Sequence, residues 1–128
     1  MRTLMSALLL FLVWLPLAAA EEVTKPIGPE EAAKKVGETV TLKMEVKSAT
    51  LREDIAFLNS EKDFKDSKNF LVFLDKAAVE KFKEAKIDDP AEHFKGKTIE
   101  VHGKIVLYHE RPEIKVTDPE QIKIVEAK

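Results

Sequence analysis

The sequence has no cysteine, only four glycines, and a single tyrosine and a single tryptophan. Without cysteine, the chain forms no disulfide and carries no lipoprotein anchor, so packing alone must stabilise it. A basic stripe is also missing, because 21 Lys and Arg residues are interspersed with 23 Asp and Glu residues, for a net charge of −2. General nucleic-acid binders usually carry clustered positive charge, so the composition counts against that class.

The longest apolar run lies at the start of the chain, where Leu8–Leu15 follows Arg2 and precedes Ala18-Ala19-Ala20. This run is too short for a spanning helix, and small residues in this pattern are read by signal peptidase. We predict a signal peptide over residues 1–20, cleaved after Ala20, and a secreted or periplasmic protein with no transmembrane segment after cleavage. An uncleaved membrane anchor is the alternative interpretation.

The remaining length suits one domain, with residues 21–28 as a leader and 29–128 as the domain. A short helix begins at Pro29, an amphipathic helix covers 76–86, and Asp89 caps another helix that Gly96 ends. The predicted strands cover residues 39–48, 55–58, 69–74, 98–108 and 113–117, and a last pairing segment covers 121–125. Because the strand over 69–74 is apolar on both faces, the N-terminal helix is an available cover for its outer face.

Glycine inside a strand often marks a bulge or a bend, and Gly103 interrupts the alternating strand over 98–108. Such a bend is typical of a small closed β architecture. Three strands, a helix and two more strands follow the order of the OB-fold. We therefore predict an all-β protein with helical additions: a five-stranded OB-fold Greek-key barrel with a helix between strands 3 and 4 and a short N-terminal helix.

Short motifs spread over the chain carry a family resemblance. They are Glu31-Ala32-Ala33, Phe57-Leu58-Asn59, Asn69-Phe70, the run Gly96 to Ile105, and Arg111-Pro112 followed by Ile114 and Val116. In this order and spacing they resemble the small secreted OB-fold proteins grouped near the anticodon-binding-like (tRNA-anti-like) domains. The resemblance implies a nucleic-acid-binding type of OB-fold without a catalytic motif. Periplasmic OB-fold proteins with an aspartate-x-threonine-glycine turn are a rival group, and that turn is absent here.

OB-folds usually bind ligands on the face of strands 2 and 3, between the loops that join strands 1 and 2 and strands 4 and 5. The candidate ligand-binding residues are therefore Arg52, Phe57, Tyr108, His109 and Arg111. Tyr108 could stack on a base or sugar, and Arg111 could pair with a phosphate. Alternatively, Tyr108 packs at a strand end, Arg111-Pro112 forms a turn, and Phe57 belongs to the core.

Catalytic and metal-binding patterns are weak in this sequence. No serine stands in a glycine-flanked elbow, and the spacing of the three histidines gives no reason for them to converge, so we predict no enzyme, metal or cofactor. A metal-assisted nuclease is the alternative that remains, with a site assembled from Arg52, Asp54, Asp63, Asp66 and Arg111.

The sequence thus predicts a monomeric, non-catalytic binding module, with single-stranded nucleic acid as the ligand that the resemblance implies. The alternative is a protein-interaction or envelope-associated adaptor that docks its partner through the sheet face or a sheet edge. A positive groove around Arg52 and Arg111 would favour nucleic acid, and a mixed or apolar face would favour protein.

Overall fold

The computed structural model describes residues 25–125, and the predicted signal peptide and the first part of the leader lie outside this range. Three helices occupy Pro29–Ala32 (α1), Lys76–Glu84 (α2) and Pro90–Phe94 (α3), and a 3-10 turn occupies Pro119–Gln121. The strands are β1 (Thr39–Glu45), β2 (Ser48–Arg52), β3 (Ile55–Asn59), β4 (Leu71–Leu74), β5 (Thr98–Tyr108), β6 (Arg111–Val116) and β7 (Ile122–Val125). None of the helices within the described range is long and apolar enough to cross a membrane.

The strands pair in the order β1-β5-β6-β4-β3-β2, and β7 pairs with β5 beside this path. Among the strand pairs of residues 25–125, β4 and β6 run parallel, and the other pairs are antiparallel. The prediction of a five-stranded barrel was wrong in strand number and in closure, because the sheet has seven strands and its path is open. The prediction of a mostly β fold with added helices is confirmed.

The difference in strand number has two causes. The predicted strand over 39–48 is divided: the Val46 N–H donates to the carbonyl of Lys97, and the next N–H, that of Lys47, donates to Asn59. The chain changes its pairing partner between these two residues. As a result, β1 and β2 are consecutive in the chain but lie at opposite ends of the strand order and do not pair with each other. The last pairing segment also forms a full strand, β7, on β5.

The core lies on the inward side of the sheet, where side chains alternate with outward ones along each strand. Leu58, Val72 and Ile114 are neighbours across β3, β4 and β6 and are fully buried. Helix α2 buries Phe82 against this core, and the Asp75 carboxylate caps it by accepting from Ala78 N–H at 2.9 Å. The predicted cap of α3 is confirmed, because the Asp89 carboxylate accepts from Glu92 N–H at 3.1 Å.

Helix α1 packs against β1, with Ala32 buried, and Ile27 before it bridges Leu42 of β1. The suggestion that this helix covers the outer face of β4 was therefore wrong. Leu71 and Phe73 on that face are half-buried. The outer face of β2, β3, β4 and β6 is consequently available for a ligand.

Two tight hairpins border that face. The turn residues Glu53-Asp54 join β2 to β3, and His109-Glu110 join β5 to β6, all four with positive φ of 53° to 66°. Two-residue loops with φ above zero at both positions are type I′ turns. Arg52 was predicted to lie in a loop, but it ends strand β2, because Ala49 and Leu51 continue the inward alternation and pack against the core.

Candidate functional site

A groove of about 530 Å³ lies on the outer face, between the β5–β6 hairpin and the loop over residues 60–70. Its floor comes from β2, β3, β4 and β6. The residues that line it are Thr50, Arg52, Phe57, Asn59, Phe64, Lys65, Asn69, Leu71, Tyr108, His109, Arg111, Pro112 and Glu113.

All five candidate residues of the sequence analysis line this groove: Arg52, Phe57, Tyr108, His109 and Arg111. Strand register explains their convergence, since Phe57 is opposite Thr50 on β2, and Tyr108 is opposite Arg111 across the hairpin. Their geometry is that of a single concave surface, and their role toward a ligand stays a prediction.

Aromatic rings provide much of the groove surface. Tyr108 is 61% exposed and Phe64 is 62% exposed, so both rings have faces or edges open to solvent. The Tyr108 and His109 rings meet edge to face, with their centroids 4.2 Å apart, and Phe57 contacts Phe73 in the same way at 5.6 Å. Exposed rings along a groove are suited to stacking with planar groups such as nucleobases.

A cation lies over each of two groove rings, Phe57 and Phe64. The Arg52 guanidinium carbon is 5.5 Å from the Phe57 ring centroid, and the Lys65 ammonium nitrogen is 5.9 Å from that of Phe64. Both distances are within the range of cation–π attraction. Each cation thus lies over one face of its ring and remains exposed at the groove.

Arg111 has a contact that the sequence did not predict. Its guanidinium donates to the backbone carbonyls of Phe64, Lys65 and Asp66 at 3.3, 3.1 and 3.5 Å. These residues are more than forty positions away in the chain. Arg111 therefore ties the loop over 60–70 to β6 and holds Phe64 and Lys65 at the groove, so it is a positioning residue as well as a groove cation.

Glu113 is the carboxylate among the groove-lining residues. Burial raises the pKa of its carboxyl above the usual 4.5, although the nearby Lys115 acts in the opposite direction. The Lys115 ammonium is itself 3.2 Å from the Asp75 carboxylate. The groove thus has three formal cations, Arg52, Lys65 and Arg111, against one acid.

Sequence reasoning missed the loop that forms one wall of the groove. The segment between the predicted strands over 55–58 and 69–74 is mostly polar, but Phe64 is a large apolar residue inside it, and this was the available signal. Asn59 and Asn69 were part of the quoted motifs without an assigned role, and both line the groove while only 6% exposed.

The residues of the nuclease alternative do not form a metal centre within the described part of the chain. Asp63 and Asp66 cap their own loop by accepting from the N–H groups of Lys65 and Lys68. His102 bonds Thr41 on the β1–β5 face, away from the groove. Between residues 25 and 125, no group of three or more His, Cys, Asp or Glu side chains is arranged to hold a metal ion.

No family model matches the chain, and no curated protein matches it. Solved structures match its fold. A putative aspartyl-tRNA synthetase from Leishmania major Friedlin aligns with a TM-score of 0.54 at 15% identity, over 84% of this chain and 22% of that one. Asparaginyl-tRNA synthetase from Pyrococcus horikoshii aligns with a TM-score of 0.54 at 18% identity, over 83% and 24%. Aspartyl-tRNA synthetase from Entamoeba histolytica aligns with a TM-score of 0.54 at 14% identity, over 86% of this chain and 23% of that one.

The chain therefore spans about a quarter of the length of the synthetases that it matches. At these identities the likeness concerns the fold. The predicted resemblance to the anticodon-binding-like OB-fold group is confirmed at that level.

Proposed function

We propose that this protein is a secreted or periplasmic, monomeric, non-catalytic OB-fold module that binds single-stranded nucleic acid in the groove between its β5–β6 hairpin and the loop over residues 60–70. The observation that carries the proposal is the convergence of exposed aromatic rings and cations in one groove on the outer sheet face. The signal-peptide pattern supports the compartment, and the fold shared with tRNA synthetases supports the ligand class.

Single strands suit this groove better than a duplex does. Their unstacked bases can lie against aromatic side chains, and each such contact contributes about 1–3 kcal/mol. Phe57 on the floor, Phe64 on one wall and Tyr108 on the other give three separate surfaces for successive bases. Arg52 and Lys65 lie over one face of the Phe57 and Phe64 rings and are exposed, so they are available to pair with backbone phosphates.

The charge of the groove also favours nucleic acid over a protein partner. Its three cations outnumber its single acid, Glu113. Acidic side chains do flank the groove, at Glu53 and Asp54 in one hairpin and Glu110 in the other, but none of them lines it.

One observation favours the adaptor alternative. Leu107, at the tip of β5, is 56% exposed and does not line the groove. An apolar side chain this open is an available anchor for a protein partner. The two hypotheses therefore assign function to neighbouring side chains of one hairpin, Tyr108 for nucleic acid and Leu107 for protein.

Fluorescence anisotropy with labelled ten-nucleotide single strands of DNA and RNA tests the proposal. We expect binding at low salt, and we expect Tyr108→Ala to weaken it by about 1–3 kcal/mol because a stacking surface is lost. Leu107→Ala is the matched control, since it removes a similarly exposed apolar side chain from the same hairpin. It should leave affinity unchanged.

Absence of binding at low salt would reject the nucleic-acid proposal. Equal losses of affinity in the two variants would contradict the groove as the binding site, because Leu107 does not line it. Retention of oligonucleotide binding by Tyr108→Ala, with loss on Leu107→Ala, would move the site to the other side of the hairpin.

A further inference from the structure

Asn59 is a nearly buried polar side chain on the groove floor. Its exposed fraction is 6%, and it lies on β3 opposite Leu71 of β4, with both residues lining the groove. Buried amides are normally hydrogen-bonded at both of their polar atoms. The partners of its oxygen and of its nitrogen therefore show what this side chain is arranged to do.

A backbone group sets the orientation of two amides in series. The Glu61 N–H can only donate, so the atom it meets at 3.0 Å on Asn69 is the oxygen Oδ1. The nitrogen Nδ2 of Asn69 must then point the other way, where it donates to Oδ1 of Asn59 at 3.0 Å. Consequently the Nδ2 group of Asn59 is directed away from Asn69.

This Nδ2 group has two N–H donors, and neither has a hydrogen-bond partner among residues 25–125. The groove is the open space beside it. A buried donor without an acceptor is costly, so the site is suited to an acceptor that the ligand supplies. The side chain cannot turn to present its oxygen instead, because Asn69 would then place a donor against a donor.

We infer that Asn59, oriented by Asn69, is a specificity residue that donates a hydrogen bond to the exocyclic carbonyl oxygen of a nucleobase in the groove. This inference rests on the proposed function. It assigns the groove a preference for bases with an exocyclic oxygen, such as thymine and uracil, over adenine.

The preference follows from the edges of the bases. Thymine presents the acceptor O4 where adenine presents the N6 amino group, a donor. Adenine in the same pose would bring its amino group against the Asn59 donor and leave both unpaired. Sites built around one hydrogen-bonding group discriminate most strongly against ligands that leave that group unpaired.

The test compares the affinities of the purified protein for labelled T10 and A10 single strands, and uses their ratio. Adenine strands also stack on themselves, but this contribution is the same for every variant and cancels when ratios are compared. We expect wild-type protein to favour T10, and Asn59→Asp, which replaces the donor by an acceptor, to lower the ratio about two- to tenfold.

Thr50→Asp is the charge-matched control. It places a carboxylate on the exposed side of the same groove and leaves the two amides intact. We expect it to weaken both strands equally, so that the T10 to A10 ratio stays at the wild-type value. Asn59→Leu serves as a second variant if the buried carboxylate of Asn59→Asp prevents folding, and it should also lower the ratio.

Three outcomes are distinguishable. Lack of any oligonucleotide binding by the wild-type protein rejects the proposed function itself. Binding with a ratio that is unchanged in both Asn59 variants rejects the role of Asn59 and leaves the proposed function standing. A ratio that falls equally in Thr50→Asp assigns the effect to charge, and this also overturns the inference.

Discussion

Glu113 shows how one residue can couple the groove to pH. Its carboxyl is part of the groove lining, and burial raises its pKa from the usual 4.5. The folded protein therefore binds this proton more tightly than the unfolded chain does. Its contribution to stability is fully present below pH 4.5 and is lost as the pH rises through the raised pKa.

We expect the variant Glu113→Gln to gain stability relative to wild type as the pH rises from 4.5 through the raised pKa. Chemical denaturation at a series of pH values measures this difference. Asp75→Asn is a control with the opposite pH dependence. The Ala78 N–H lowers the Asp75 pKa from 3.8, so the stability that the ionised Asp75 contributes to wild type is lost as the pH falls through the lowered pKa. A pH-independent difference between wild type and Glu113→Gln would contradict the assignment.

At the scale of elements, strand β5 makes the groove possible by changing partners along its length. Its first part, to Lys104, pairs with β1, and from Ile105 onward it pairs with β6. Gly103 lies just before this change. A Cβ atom there would be 2.7 Å from the Cγ2 atom of Ile114, so the glycine permits β6 to approach closely.

We expect Gly103→Ala to destabilise the fold by roughly 1–3 kcal/mol, because Ile114 or β6 must move to admit the methyl group. Thermal unfolding should show this as a lower Tm. Gly28→Ala is the matched control, since nothing lies within 4 Å of its added Cβ and its φ of −83° suits alanine. A Tm for Gly103→Ala equal to that of the control would disprove the close approach.

At the scale of the whole molecule, charge is unevenly distributed. The chain has a net charge of −2, while the groove lining has three cations and one acid. The acidic composition, which by itself argued against nucleic acid, therefore does not describe the surface where a ligand would bind. Local potential, rather than net charge, governs encounter with a charged partner.

A salt series tests this distribution. Arg52 and Lys65 are the groove cations without the loop contacts of Arg111, so two phosphates should be neutralised. A plot of the logarithm of affinity for a single strand against the logarithm of salt concentration should then have a slope of about −1.4. Arg52→Ala should reduce the slope to about −0.7, whereas Lys43→Ala on β1, outside the groove, should leave it unchanged. A wild-type slope near zero would exclude phosphate contacts.

Much of the local structure was predictable from the sequence, because its signals act over a few residues. Period-2 alternation indicated the strands, and Asp89 and Gly96 marked the ends of α3. The sequence could predict that the five candidate residues lie on one face, because an OB-fold places its ligand face at known strand positions, and all five line the groove. The type I′ geometry of the two turns was not predicted, since none of their four residues is the glycine that usually signals it.

The amino-acid sequence by itself determined the order of strands and helices, the absence of disulfides and the residue types available on the outer sheet face. Only the tertiary structure decided that β1 and β2 separate onto different ladders, that Arg111 ties down a distant loop, and that Asn69 orients Asn59. The reason is physical: alternation and caps depend on neighbours in the chain, whereas these contacts join residues that meet only when the sheet folds.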